Sequence, residues 1–578
     1  MPHRACGDLS GGSGVTRFPT ATATCSERRA GLETSDVGAD PPVLRGRLPS
    51  VGKRTTQAPA GPTGAMAAAR MEEEDGGNTG SPVGGVHTPT GTPRGAGWAG
   101  RVADGLVVPL KPGNAGGGKE PWFESSTERK QGVTTGENLT GSDRVRKLQT
   151  VLHAKAKEEP GRRFHALIDK VWREDFLAEA WKRVRRNGGA AGVDGETFAD
   201  IESFGVERWL GELARELKDG AYTPKPVRQV LIPKKQPGKF RPLGIPCIRD
   251  RVAQTSALLV LEPIFEADLQ PEQYAYRPGR SAHGAVKRVR RLLYGRHHEV
   301  VDCDLSNYFG EIPHAELLKS FARRISDGRM LKLIKAWLEM PVEEDDGEGG
   351  KRRTNRARRE RKGTPQGAPI SPLASNVYMR RFILGWKALG YARRFRAEIV
   401  NYADDLCVLG KAPAAEMLTA VERLMAGLKL TVNARKTRCL RCPEEPLEFL
   451  GYRIGHTYRR DGRGSYIGTR PSQASVQSIC RRISDMTVRG YGGQPSEVMV
   501  GRLNRTMTGW ANYFSLGQVS PAYNIVNRHA VRRLRQWLCR KHKTRHGATV
   551  HYPAQRLHDE YGLTRLTRQA LGLPSAKA

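Results

Sequence analysis

The chain has 578 residues, enough for several domains, because typical domains contain about 100 to 200 residues. It carries 95 Lys plus Arg against 60 Asp plus Glu, and this net charge of +35 indicates a polyanionic partner, with nucleic acid as the leading candidate. No apolar run approaches the roughly 20 residues of a membrane-spanning helix, so we expect no membrane partner.

Residues 1–140 are rich in Gly, Pro, Ser, Thr and Ala and lack helical or alternating periodicity, which predicts a disordered low-complexity tail. The tail contains 15 Lys or Arg and 14 Asp or Glu, so its charge is +1 and the other 438 residues carry 35 − 1 = +34. An alternative is that translation starts near Met66 or Met71. Without the apolar core of a secretory signal, and with acidic residues that disfavour an organelle transit peptide, we expect a bacterial-type cytoplasmic protein.

Residues 141–455 mix helical and strand patterns, which predicts an α+β region. Helical spacing begins at Asp143 and recurs between Phe164 and Trp172. Two strands with a Gly-containing turn between them predict a hairpin, and Ser281 is a candidate helix N-cap. The predicted elements in chain order are a hairpin of strands 227–233 and 240–245, helices 251–266 and 281–293, a strand at 299–305 and a strand pair within 397–409.

Two apolar strands run into acidic residues 100 positions apart. The first leads to Asp304, and the second contains Asp404 and Asp405 at the centre of a predicted hairpin. Pairing the two strands would bring three carboxylates together, which is costly unless cations neutralise them. A pair of Mg²⁺ ions about 3.5 to 4 Å apart would suit such a site and would support nucleotidyl transfer. Taken alone, the acidic pair is more often a solvent-exposed turn than a catalytic motif.

Further motifs distinguish these readings, because their order along the chain resembles that of reverse transcriptases. Tyr402 to Asp405 resembles the polymerase signature, and Asp304 followed by Phe309 resembles the first catalytic motif. The other matching segments are the proline-glutamine-glycine loop 365–367 and residues 241–246, 276–281, 433–437 and 449–452. The resemblance covers about residues 145–455 and implies the fingers and palm of a right-hand polymerase, with an antiparallel palm sheet.

The resemblance also implies roles for individual residues. Asp304, Asp404 and Asp405 would be catalytic and, with Leu305, would bind two Mg²⁺ ions. Asp302 and Asp304 are both candidates for the first metal-binding aspartate, and we choose Asp304 for its spacing to Phe309. The implied nucleotide contacts are Lys239, Arg241, Phe309, Gln366 and Lys436, and the implied template or primer contacts are Tyr402, Pro365 and Gly367. A bulky Phe309 under the sugar would exclude a 2′-hydroxyl, so DNA is the expected product.

The segment from Glu343 to Lys362 is first acidic and then strongly basic. It could contact nucleic-acid phosphates or be a solvated excursion, and the sequence does not distinguish these alternatives.

Residues 456–578 are Arg-rich, with aromatic residues at helical spacing, which predicts amphipathic helices with a basic face. We expect Trp510, Phe514 and Trp537 to be buried and the arginines to contact RNA. The segments 509–514 and 561–563 resemble the maturase domain of group II intron proteins, which doubles as the polymerase thumb. No endonuclease pattern follows, so we expect a form without that domain. The candidate RNA-binding residues are Arg502, Arg505, Arg532, Arg533 and Arg535.

The family resemblance implies an RNA-directed DNA polymerase that copies intron RNA and assists group II intron splicing and mobility. Its implied partners are intron RNA, target DNA or a primer, and deoxynucleoside triphosphates. Two alternatives remain: an RNA-binding splicing factor with an inactive polymerase, and a domesticated reverse transcriptase in host defence. The three intact aspartates favour an active polymerase over the splicing factor.

Overall fold

The computed structural model describes residues 140–233, 238, 240–345, 350–458, 464–544, 546–569 and 572. The predicted disordered tail lies outside these residues apart from Thr140, and so does Lys239. Among the residues described, no helix combines the length and apolarity needed to cross a membrane.

The chain before residue 299 is mostly helical and contains one β-hairpin. The hairpin strands have the predicted bounds, and the predicted cap Ser281 accepts a hydrogen bond from the Gly284 amide at 3.1 Å. By contrast, the predicted helical stretch from Phe164 contains only one helical turn. The elements are α1 (Gly141–Glu158), α2 (Ile168–Val171), α3 (Glu174–Asn187), α4 (Phe198–Phe204), α5 (Val206–Asp219), β1 (Val227–Pro233), β2 (Phe240–Ile245), α6 (Ile248–Glu266) and α7 (Ala282–Tyr294).

The middle of the chain supplies the four strands of a central antiparallel sheet and the helices that cover it. Its elements are β3 (Glu299–Asp304), α8 (Tyr308–Glu311), α9 (His314–Ala322), α10 (Gly328–Leu338), β4 (Val342–Asp345), β5 (Lys351–Thr354), α11 (Arg356–Glu360), α12 (Ser371–Ala388), α13 (Tyr391–Arg394), β6 (Glu398–Tyr402), β7 (Asp405–Gly410), α14 (Ala414–Gly427) and β8 (Arg438–Arg441). The strand order of the central sheet is β6-β7-β3-β8.

Both faces of the central sheet are buried because its side chains alternate between two hydrophobic cores. Val301 and Val408 belong to the first core, whose members lie between Val145 and Leu430. Val300 and Leu409 belong to a second core, which includes α7 and the C-terminal helices. The sheet is therefore held between two cores, and its exposed polar side chains lie at the strand ends and along the edge strand β8 and its neighbour Asp302.

The hairpin β1-β2 belongs to a second sheet of order β2-β1-β4-β5. Strands β4 and β5 come from the acidic and the basic part of the segment 343–362, they pair with each other, and α11 follows. Buried Glu343 forms ion pairs with Lys351 at 3.4 Å and with Arg353 at 3.0 Å. Part of the basic charge is thus neutralised within the hairpin itself.

The C-terminal region begins with a small sheet of order β11-β10-β9, and helices follow. The predicted domain boundary at residue 455 lies inside β10, so strands continue past it. Trp510, Phe514 and Trp537 are buried, as predicted. The elements are β9 (Leu447–Phe449), β10 (Tyr452–Tyr458), β11 (Ser465–Pro471), α15 (Gln473–Met486), a 3₁₀ turn (Arg489–Tyr491), α16 (Ser496–Tyr513), α17 (Ser520–Lys541), α18 (Ala548–His551) and α19 (Ala554–Asp559).

Candidate active site

Two of the three predicted catalytic aspartates face each other across neighbouring strands. Asp304 ends β3, Asp405 begins β7, and the antiparallel register pairs these two residues. Asp404 lies in the two-residue turn between β6 and β7, where Ala403 has a φ of 57°. Tyr402 and Ala403 are buried, whereas the three aspartates are partly exposed. The three aspartates therefore lie at the same end of the sheet.

Basic side chains from the segment around β8 approach these carboxylates. The Lys436 Nζ lies 3.2 Å from both carboxylate oxygens of Asp304, and the Arg438 Nη2 lies 2.7 Å from Asp302. Register pairing of Asp302 with Arg438 explains the second contact. Asp302 is thus paired with Arg438 two residues inside the strand, and Asp304, at the end of the strand, is paired with Lys436.

The donor chemistry of this strand end suits a hard divalent cation, which prefers carboxylate and carbonyl oxygens. Leu305 has an apolar side chain, so its backbone carbonyl is the group that this residue could offer. Over the part of the chain that the structure describes, no three His, Cys, Asp or Glu side chains are already arranged as a metal-binding group.

The loop 365–367 is bound to the hairpin strand β2. The Arg241 Nε donates to the Gln366 Oε1 at 3.0 Å, and the Gly244 amide donates to the Gln366 carbonyl at 2.7 Å. Gly367 has a φ of 112°, and a Cβ there would lie 2.2 Å from the Gly244 carbonyl oxygen. Only glycine fits where the loop crosses β2, and this close approach brings together Arg241 and Gln366, two predicted nucleotide contacts.

Phe309 lies in the short helix α8, which follows β3. Its ring is 8% exposed, and its carbonyl accepts a hydrogen bond from the Thr364 amide at 2.7 Å, just before the glutamine loop. The next residue is Gly310. A Cβ at Gly310 would lie 2.2 Å from the Asn307 Nδ2, so the Asn307 side chain already occupies this space.

Tyr276 was not singled out by sequence reasoning, although the motif that contains it was. Burial, followed by the negative charge of Asp404, raises the pKa of the Tyr276 hydroxyl, and the positive charge of Arg241 opposes this rise. Charges of both the hairpin strand and the aspartates therefore act on this hydroxyl. A positive φ of 60°, uncommon for an aromatic residue, was the feature that the sequence could not reveal.

The C-terminal helices contact the central region through Tyr513, at the end of α16. Its carbonyl accepts hydrogen bonds from the Tyr452 hydroxyl and from the His283 Nε2, and its own hydroxyl donates to the Leu450 carbonyl at 2.9 Å. Burial raises the pKa of the Tyr513 hydroxyl, and the charge of Asp405 adds to this effect. The end of α16 therefore lies close to the acidic strand end.

The five candidate RNA-binding arginines differ in their surroundings. Arg533 donates to the Thr487 Oγ1 at 2.9 Å, and Arg535 donates to the Tyr552 carbonyl at 2.7 Å, so both brace the helices. Arg502 contacts the Gln494 side chain at 3.2 Å. Arg505 and Arg532 are exposed, which makes them the better placed of the five for an external partner.

Comparisons with known proteins agree with these arrangements. Residues 232–454 match the family described as reverse transcriptase (RNA-dependent DNA polymerase), and residues 476–552 match the maturase-specific domain of group II introns. The chain is 32% identical to protein YkfC of Escherichia coli over 57% of this chain and 93% of that protein. It is 31% identical to the group II intron-encoded protein LtrA of Lactococcus lactis over 39% of this chain and 36% of LtrA. It is also 32% identical to the mitochondrial nuclear intron maturase 2 of Arabidopsis thaliana, over 20% of this chain and 15% of that protein.

Proposed function

The chain belongs to the group II intron reverse transcriptases, and from this membership we propose that it copies intron RNA into DNA and assists the splicing and mobility of that intron. The proposed partners are intron RNA, target DNA or a primer, and deoxynucleoside triphosphates. Relatives from bacteria support a cytoplasmic site of action, while the plant relative is mitochondrial by name.

The proposed domains follow the matched spans. Residues 141–455 would form the fingers and palm, and residues 456–578 would form the thumb and maturase domain. The hairpin β1-β2 corresponds to the fingers and the central sheet to the palm. Because β10 runs through residue 455, we propose that this small sheet is the joint between palm and thumb.

The observation that carries the proposal is the pairing of Asp304 with Asp405, with Asp404 in the adjoining turn. Reverse transcriptases use divalent metal ions, and we propose two Mg²⁺ ions held by these carboxylates and by the Leu305 carbonyl. Such ions would activate the primer hydroxyl and stabilise the leaving oxygens during in-line transfer. Rigid burial of β3 and β7 would keep the carboxylates in place throughout.

The remaining candidate residues would orient the nucleotide and the nucleic acid. We propose that Arg241, with Lys239, binds the triphosphate and that Gln366, held by Arg241, contacts the incoming nucleotide. The ion pair with Asp304 keeps Lys436 beside the acidic strand end, where it could also reach the triphosphate.

Two further groups of residues would select the product and hold the template. Phe309 would exclude the 2′-hydroxyl of a ribonucleotide. Tyr402, Pro365 and Gly367 would contact the template or primer. For intron RNA we propose Arg505 and Arg532 as direct contacts, since the other three arginines bind within the fold.

The test is extension of a DNA primer on an RNA template, comparing the wild type with the double variant Asp404→Asn/Asp405→Asn. The matched control is Asp302→Asn, which removes a carboxylate from the same sheet but one already paired with Arg438. Extension with deoxynucleotides only, lost in the double variant and retained in the control, is the expected result. Equal activity of wild type and double variant would refute the assignment.

The second candidate function is that of a splicing factor whose polymerase is inactive. The large positive charge and the maturase-domain match favour RNA binding in either case. A folded wild-type protein that binds intron RNA and promotes its splicing, but extends no primer, would support this candidate. A domesticated role in host defence would instead be indicated if no foldable intron surrounds the coding sequence.

A further inference from the structure

The segment that leads to Tyr276 runs beside strand β6 as an additional short strand. Gln273 forms an isolated parallel bridge with Asn401, and the Tyr274 amide donates to the Asn401 carbonyl at 2.9 Å. A second contact comes from α12, where the Asn376 Nδ2 donates to the Ala275 carbonyl at 2.8 Å. Tyr276 and Asp404 each lie three residues beyond this bridge, along their own segments of the chain.

The backbone of Tyr276 is in the left-handed region, with a φ of 60°, and its neighbours hold it there. Arg277 is 6% exposed and is paired with the Glu266 carboxylate at 2.7 Å. The same guanidinium donates to the carbonyls of Gln270 and Gln273 at 2.6 and 2.8 Å. Such strain persists only where the surroundings enforce it, and it is concentrated at functional sites.

The ring of Tyr276 packs against both hydrophobic cores, so its position is set from two sides. Its hydroxyl lies among charged groups from two regions, because the charges of Asp404 and Arg241 both act on it. The ring also neighbours Tyr308, whose own hydroxyl donates to the Ser375 carbonyl at 2.7 Å. Within the residues that the structure covers, no group forms a hydrogen bond with the Tyr276 hydroxyl, and the side chain is partly exposed.

We propose that Tyr276 is a positioning residue for the incoming nucleotide, whose hydroxyl donates a hydrogen bond to a phosphate oxygen of the triphosphate. The inference rests on the proposed polymerase function, which puts the triphosphate between Arg241 and the aspartates. A phenol is a suitable donor here because it stays protonated beside carboxylates and adds no charge. The fixed ring and strained backbone keep this donor in place before the nucleotide arrives.

The test uses Tyr276→Phe, which removes the hydroxyl and keeps the ring that packs on both cores. The matched control is Tyr274→Phe, two residues earlier, whose ring lies 5.3 Å from the Arg280 guanidinium. The measurement is nucleotide affinity in a stalled complex of full-length protein, RNA template and a DNA primer with a chain-terminating end, followed by gel shift. Single-nucleotide incorporation by the same variants separates KM from kcat.

We expect Tyr276→Phe to weaken nucleotide binding roughly 10-fold, as loss of one hydrogen bond to a charged group does, with primer–template affinity unchanged. The change should appear mainly in KM, and Tyr274→Phe should match the wild type. Unchanged nucleotide affinity overturns the inference, as does an equal loss of nucleotide and primer–template affinity, which would show a structural role. A wild type that extends no primer and forms no stalled complex overturns the proposed function and this inference together.

Discussion

Replacing Gly367 by alanine tests the crossing between the glutamine loop and strand β2. An added Cβ would lie 2.2 Å from the Gly244 carbonyl oxygen, so the two backbones must separate by about 0.8 Å to reach the 3.0 Å below which real contacts essentially do not occur. The φ of 112° adds a left-handed backbone penalty of about 1–2 kcal/mol. Separation also weakens the 2.7 Å hydrogen bond from the Gly244 amide to Gln366, worth about 1 kcal/mol.

A matched control isolates the clash from the backbone penalty. Gly390 has a φ of 71°, and a Cβ there would meet nothing within 4 Å. Gly390→Ala should therefore lower the free energy of unfolding by about 1–2 kcal/mol, and Gly367→Ala by about 3 kcal/mol or more. Urea unfolding followed by tryptophan fluorescence measures both values. The KM for deoxynucleotides should rise only in Gly367→Ala, because Arg241 and Gln366 are displaced. Equal destabilisation with an unchanged KM would refute the steric argument.

Two further predictions concern buried and exposed charges. Burial raises the pKa of the Asp250 carboxyl to about 6 from 3.8, so the folded protein holds this proton more tightly than the unfolded chain. The stability that the protonated carboxyl contributes is fully present below about pH 4 and is lost as pH rises through 6, a change of about 3 kcal/mol. Asp250→Asn should remove this dependence in urea titrations between pH 4 and 8, and an unchanged pH profile would contradict it. Arg532→Ala should weaken intron RNA binding and reduce its salt slope by about 1 without changing stability, whereas Arg533→Ala, which breaks the contact with Thr487, should lower the unfolding midpoint. Filter binding measures the RNA affinity of both variants and thermal unfolding measures their stability. Identical behaviour of the two variants would argue against separating Arg532, as an RNA contact, from Arg533, as a structural residue.

Local sequence patterns predicted the elements whose stability comes from nearby residues. The hairpin strands have the predicted bounds because β-branched residues and a glycine turn act locally, and Ser281 caps its helix as its side chain suggests. The long helix α6 begins at Ile248, three residues before its predicted start, and its N-cap residue Cys247 makes no side-chain cap hydrogen bond that would mark this start in the sequence. Phe164, read as part of a helix, instead pairs with Ile325 far along the chain.

The segment 343–362 shows where charge patterns alone fail. Its acidic and basic halves were equally consistent with a phosphate-contacting loop and a solvated excursion. The structure pairs the halves as β4 and β5, and a parallel contact of β4 with β1 fixes them to the hairpin sheet. Strands β1 and β4 are more than 100 residues apart in the sequence, so their parallel pairing produces no local sequence pattern from which it could be predicted.

The choice between Asp302 and Asp304 shows how a tertiary contact adds to a motif. Strand alternation puts both carboxylates on one face of β3, so periodicity cannot separate them. Pairing of β3 with β8 gives Asp302 a counter-charge in Arg438, 45% exposed at the sheet edge, while Asp304 pairs with Asp405 at the open end. Both carboxylates carry a basic partner, Arg438 on Asp302 at 2.7 Å and Lys436 on Asp304 at 3.2 Å, so an ion pair alone does not separate them, and the preference for Asp304 rests on its position opposite Asp405. The sequence named both candidates, and the sheet register adds a physical reason for preferring Asp304, which stays a prediction.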